Sequence, residues 1–90
     1  MNKEKVKPAS ENDEQSDLVN ELILFNDEVN SFEFVIETLV EVCEHEPCQA
    51  EQCALIAHFN GKCGVRSGSF TLLKPKYDEM IRRGLTVSIE

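Results

Sequence analysis

The sequence predicts an α+β fold, a three-stranded antiparallel sheet packed on three helices in the order β-α-α-β-α-β. Two short apolar segments, at residues 22–25 and 85–90, have the length and pattern of strands. Between them, apolar residues recur at helical spacing in three stretches, which proline, glycine or asparagine residues separate. If the helices pack on one face of a sheet of short strands, the apolar face of the sheet and the apolar stripes of the helices are both buried, and the connections stay short.

The first strand is predicted at Leu22–Phe25, where four apolar residues run without interruption. The first helix is predicted to begin with Asn30 as its N-cap, because Glu33 follows at the spacing of a capping box. It is predicted to end near residues 44–46, since Pro47 disfavours helical geometry in the residue before it. Its apolar stripe consists of Phe32, Val35, Ile36, Leu39, Val40 and Cys43.

The second helix is predicted from Pro47, which suits a first helical turn, to the asparagine-glycine stop signal at residues 60–61. Leu55, Ile56 and Phe59 are expected to broaden its inward apolar arc. The main stripe is built mostly of small residues, so another group can approach this helix closely. That stripe consists of Ala50, Cys53, Ala54, Ala57 and His58.

A second strand is predicted at Lys62–Arg66 and a third helix at roughly Leu72–Arg83. Pro75 is expected near the first turn of that helix, where its missing amide donor costs least. Gly84 is expected to end the helix, and residues 85–90 alternate as a half-buried final strand. The third helix is expected to face inward with Leu73, Tyr77, Met80 and Ile81.

Length, charge and polarity restrict the class of protein. Ninety residues suffice for one domain, and the 41% hydrophobic content is ordinary for a folded chain. The formal charge of −8 argues against nucleic-acid binding, and no apolar run approaches the ~20 residues of a membrane span. Residues 1–20 are polar and without period, which predicts a flexible N-terminal extension before a core domain at residues 21–90. Because no signal-peptide pattern occurs, we expect a cytoplasmic protein.

The four cysteines are spaced too widely for a strong metal motif, since no Cys-x-x-Cys pair occurs. In a cytoplasmic chain they are interpreted as reduced thiols that act as small apolar side chains. A zinc site that uses them with His45 or His58 is the alternative.

A polar cluster follows the first strand and is the main candidate for function. Asn26, Asp27 and Glu28 supply oxygen acceptors, and a neutral His58 adds a nitrogen acceptor if the second helix packs beside this turn. Such a set matches the three donors of a primary ammonium. Apolar walls are expected from Phe32, Val35, Ala54, Ala57 and Leu85. Alternatively, the cluster is only a turn and the histidine is structural; no nucleophile motif, metalloprotease motif or phosphate loop indicates catalysis.

Three motifs occur in order: Asn26-Asp27-Glu28, then Phe32-Glu33-Phe34-Val35, then His58-Phe59-Asn60-Gly61-Lys62 with Cys63-Gly64-Val65 close behind. Together they resemble the ClpS family, and the similarity covers residues 22–90. The resemblance implies a non-catalytic adaptor without a cofactor, with the same fold of three strands and three helices. Such an adaptor binds N-degron substrates that begin with Leu, Phe, Tyr or Trp. It delivers them to the N-terminal domain of a ClpA-like AAA+ unfoldase in a ClpAP-type protease.

The resemblance also implies roles for individual residues. Asn26 and His58 match the residues that hydrogen-bond the α-amino group of the substrate, and Asp27 and Glu28 match the acidic positions that complete the amine site. Lys74 matches a basic contact to the ATPase. The positions that shape the side-chain pocket are Asn30, Phe32, Val35, Ala54, Ala57 and Leu85.

Several residues depart from the family pattern, and two competing functions remain. Glu28 replaces an Asp, Phe32 replaces a Met at the pocket rim, and Ser69 stands at an acidic ATPase-contact position. Ala54 and Ala57 replace larger apolar residues, which is expected to deepen the pocket. The competing functions are a zinc-binding domain and a general protein-interaction domain without an N-terminal-residue pocket.

Overall fold

A computed structural model describes residues 19–90, and within that range it has three strands and three helices in the predicted order. The α+β prediction is therefore confirmed. Most of the predicted extension, residues 1–18, lies outside the described range, while Asn20 already belongs to the first strand. The elements are β1 (Asn20–Phe25), α1 (Phe32–Cys43), α2 (Pro47–Asn60), β2 (Lys62–Gly68), α3 (Phe70–Arg82) and β3 (Val87–Ile89).

Strand β1 is the centre of the sheet, in the order β2-β1-β3. Both of its neighbours are antiparallel, and Phe25 at its end pairs with Lys62 at the start of β2. This register places the end of α2 beside the turn that follows β1, because one residue, Gly61, separates α2 from β2. The amide of Asn26 donates to the Gly61 carbonyl at 2.9 Å and fixes this approach.

The core lies between the sheet and the helices, and every element contributes to it. Burial of this apolar surface is the main stabilising term of the fold. The buried core residues are Leu22, Leu24, Leu39, Val42, Cys43, Ala50, Ala57, Val65, Leu73, Met80, Leu85 and Val87.

Helix α1 begins one residue later than predicted, because Ser31 and not Asn30 is its N-cap. The Ser31 hydroxyl accepts the amide of Phe34 at 3.1 Å. Asn30 is instead hydrogen-bonded within the preceding turn, so the prediction of its capping role was wrong. At the other end, Glu44 adopts the left-handed conformation (φ 63°) and stops the helix before Pro47 can influence it.

Helix α2 begins at Pro47 and is ended by Gly61 at φ 96°, as predicted. Its small residues face the core: Ala50, Ala54 and Ala57 are buried. The expected broad inward arc was wrong, since Ile56 and Phe59 are 41% and 75% exposed.

Helix α3 begins two residues earlier than predicted, with Ser69 as its N-cap. Pro75 therefore lies inside the helix and not near its first turn. Leu73 and Met80 are fully buried, but Ile81 is 45% exposed, against the prediction. Among residues 19–90, no helix is long and apolar enough to cross a membrane.

Candidate ligand-binding site

The turn after β1 is held by the carboxylate of Asp27. Its Oδ1 accepts the backbone amides of Val29 at 3.0 Å and Asn30 at 2.8 Å. The Asn30 side-chain amide donates to both carboxylate oxygens, at 3.3 and 3.2 Å, and also to the Gly84 carbonyl at 3.0 Å. The turn is thus fastened to itself and to the loop that precedes β3.

These hydrogen bonds also settle the charge of Asp27. Partial burial desolvates the carboxylate and acts to raise its pKa, but the hydrogen bonds from Asn30 and Val29 outweigh that effect. The pKa of Asp27 therefore lies below its ordinary value of 3.8. Asp27 contributes a permanent negative charge at neutral pH, although most of its hydrogen-bonding capacity is used within the turn.

Asn26 and Glu28 lie exposed at the rim of the turn and are linked to each other. The Asn26 Nδ2 donates to a carboxylate oxygen of Glu28 at 3.3 Å. Because the amide nitrogen is engaged in this way, the Asn26 Oδ1 is left to accept from a ligand. The rim consequently presents an amide oxygen beside a carboxylate, which suits a cationic donor.

His58 reaches the same site from the last turn of α2. Its ring is exposed and forms a T-shaped pair with the Phe59 ring, with centroids 4.9 Å apart. The partial negative charge at a helix C-terminus favours cations, and α2 ends at Asn60, beside Asn26. The C-terminal end of α2 and the imidazole of His58 therefore both favour binding of a positively charged group beside Asn26.

Below this rim lies a cavity of about 430 Å³. Ala54, Ala57 and Leu24 are almost completely buried, whereas Phe32 stands at 36% exposure. The small side chains of α2 leave space for a bulky apolar group. The lining residues are Leu24, Phe25, Asn26, Asp27, Glu28, Asn30, Phe32, Val35, Ala54, Leu55, Ala57 and His58.

The structure brings together all of the proposed amine-site residues and most of the proposed pocket residues. Leu85 is the exception, since it is buried in the core and does not line this cavity. The sequence analysis missed Leu24, Phe25 and Leu55 as lining residues. The first two lie in the strand that directly precedes the polar turn, a position that could have identified them.

Lys74 lies away from this site, in a second cavity of about 350 Å³ between α3 and β3. Its Nζ is 2.8 Å from an Asp78 carboxylate oxygen and 5.9 Å from the centre of the Tyr77 ring. Ser69, at the position where an acidic ATPase contact is expected, accepts the Leu72 amide as the cap of α3.

The cysteines do not converge on a metal site. No group of three or more potential ligands exists among residues 19–90. Burial raises the pKa of the Cys43 thiol to about 11, and burial followed by contact with Cys53 raises the pKa of Cys63 to about 11. Thiols of this kind stay protonated at neutral pH.

Comparison with known proteins identifies a similar fold and a protein family. The fold is similar to the solved structure of Agrobacterium tumefaciens ClpS2 bound to L-phenylalaninamide, with a TM-score of 0.68 and 23% identity. The match covers 80% of this chain and 94% of that one. A search of curated proteins gave no match. Residues 15–88 match the family model described as "ATP-dependent Clp protease adaptor protein ClpS". The chain therefore belongs to the ClpS family.

Proposed function

We propose that this protein is a non-catalytic adaptor that binds the first residue of N-degron substrates and delivers them to a ClpAP-type protease. The proposal depends on one observation, a cavity that is lined by apolar side chains together with the hydrogen-bond acceptors of Asn26, Glu28 and His58. A free N-terminal residue has the complementary form, an ammonium group next to a side chain. Leu, Phe, Tyr and Trp are the expected first residues.

The amine half of the site is proposed to consist of the Asn26 oxygen, the Glu28 carboxylate and the His58 imidazole. Asp27 supports them through its charge and by holding the turn, with Asn30 as its partner. The first side chain then enters the space beside Val35, Ala54 and Ala57. L-Phenylalaninamide, the ligand of the similar Agrobacterium protein, has the same two parts, a free amine and an apolar side chain.

Both halves are needed for useful affinity. Burying a Phe or Leu side chain contributes about 1.5–3 kcal/mol, and each hydrogen bond to the ammonium about 1.5–3 kcal/mol. Lost freedom of motion on association offsets several kcal/mol of this sum, which leaves micromolar or somewhat tighter binding.

The test is a titration of paired peptides that begin with Phe, one with a free amine and one acetylated. We expect the free peptide to bind and the acetylated peptide to bind at least about tenfold more weakly, because acetylation removes the charge and two donors. Asn26→Ala should weaken binding of the free peptide. Asn60→Ala is the matched control, since Asn60 is exposed and does not line the cavity. Equal binding of the two peptides would contradict the proposal.

A further inference from the structure

Helix α2 carries an exposed apolar strip that the fold does not need. We call Leu55, Ile56 and Phe59 the α2 strip; Leu55 is half-buried, and Ile56 and Phe59 are 41% and 75% exposed. Residues three and four apart lie next to each other on a helix, so the three side chains form one surface. Exposed apolar surface of this kind often marks an interaction site.

The strip is continuous with the proposed substrate pocket. Leu55 lines the cavity, and Phe59 lies one helical turn further along the same face. The Phe59 ring forms a T-shaped pair with the imidazole of His58, which is part of the proposed amine site. The apolar surface therefore starts inside the cavity and passes beside the amine-binding residues to the outside.

We infer that the α2 strip binds an apolar side chain at the second position of the substrate. This inference rests on the proposed function, because it takes the substrate's amine to lie between Asn26 and His58. The Cα of the second residue is then about 3.8 Å from the first Cα. In an extended chain successive side chains point in opposite directions, so the second one leaves the pocket and lies across its rim. Phe59 is an exposed apolar group next to that rim, with its ring centre 4.9 Å from that of His58.

The inference predicts a preference that a site limited to the first residue lacks. Free-amine peptides that differ only in the second residue, Phe-Leu and Phe-Ser, should differ about three- to tenfold in affinity, since part of the Leu side chain is buried. Exchanging Ser for Leu at the third position should change affinity less than twofold. Equal affinity of Phe-Leu and Phe-Ser, or a preference located at the third position, would overturn the inference.

Two variants show whether the strip is responsible. Phe59→Ser should reduce the ratio between Phe-Leu and Phe-Ser affinities to less than about twofold. Ile81→Ser, at a 45% exposed apolar position on α3, should leave that ratio unchanged. If Phe59→Ser weakens both peptides by the same factor, Phe59 acts only through His58 and the inference fails.

Acetylated Phe-Leu distinguishes failure of this inference from failure of the proposed function. If the acetylated peptide binds as well as the free peptide, the proposed function fails too. If only free peptides bind, without second-residue preference, this inference alone fails.

Discussion

Asp27 shows how a single residue shapes the candidate site by holding a turn. Its carboxylate accepts two backbone amides and the Asn30 side chain, so it fixes the positions from which Asn26 and Glu28 project. The sequence predicted Asp27 as part of the amine site because acidic residues attract cations. The hydrogen bonds add a second role, since they define the shape of the turn.

We predict that Asp27→Asn lowers the free energy of unfolding by about 1–2 kcal/mol at pH 7, because charge-assisted hydrogen bonds become neutral ones. The folded-state pKa of Asp27 is below its ordinary 3.8. Its contribution is therefore fully present above that value and is lost as pH falls through the lower, folded-state pKa. Urea unfolding of both proteins should show the difference at pH 7 and a progressively smaller one as the pH falls below 3.8. A difference that does not depend on pH would show that the charge is not responsible.

At the scale of elements, the two prolines of the described chain have opposite consequences. Pro47 occupies the first turn of α2, where its missing amide has no partner to lose. Pro75 lies inside α3, where it removes a hydrogen bond to the carbonyl four residues earlier.

Pro75→Ala is therefore expected to raise the free energy of unfolding by about 1–2 kcal/mol, after allowance for the more flexible unfolded chain. Pro47→Ala is the matched control and should change it by less than about 1 kcal/mol, in the destabilising direction. Thermal or urea denaturation measures both variants. If both variants changed the free energy of unfolding by the same amount, the result would contradict the placement of Pro75 inside the helix.

The sequence predicted the type and order of the elements but not all of their ends and faces. Hydrophobic period and stop signals located α2 correctly, because Pro47 and Gly61 act locally. Asn30 was assigned as a cap because local pattern cannot show that its amide would bond to Asp27 and to the distant Gly84. Similarly, apolar residues surround α2 on every side, so the pattern could not distinguish the buried alanines from the exposed strip.

At the scale of the whole molecule, the cavity beside the polar turn and the cavity at Lys74 are lined by different elements. The ligand site involves β1, α1 and α2, whereas Lys74 lies between α3 and β3. Motifs in the sequence predicted the polar residues of the first site and Lys74, but the wall residues Leu24 and Leu55 depended on packing. If both cavities bind as proposed, one partner can be held while the other is engaged.

We predict that Lys74→Glu leaves the affinity for a free Phe peptide unchanged. The same variant should weaken binding to the N-terminal domain of a ClpA-like unfoldase about tenfold, because a like charge replaces a matched one. Arg82→Glu makes the same charge change on α3 but does not line the second cavity, and it serves as the control. Binding assays with each partner alone measure the two effects. Loss of peptide affinity in Lys74→Glu would contradict the separation of the two surfaces.

The hydrogen bonds that hold the polar turn in place affect how a ligand would bind. The Asn26 amide is tied to Gly61 at the end of α2, and the Asn30 side chain is tied to Gly84 after α3. The acceptors are thus in place before a ligand arrives, and no segment of the turn has to become ordered. We therefore expect that a conformational equilibrium does not reduce the affinity for the proposed ligand, and that a chain end binds in a single encounter step.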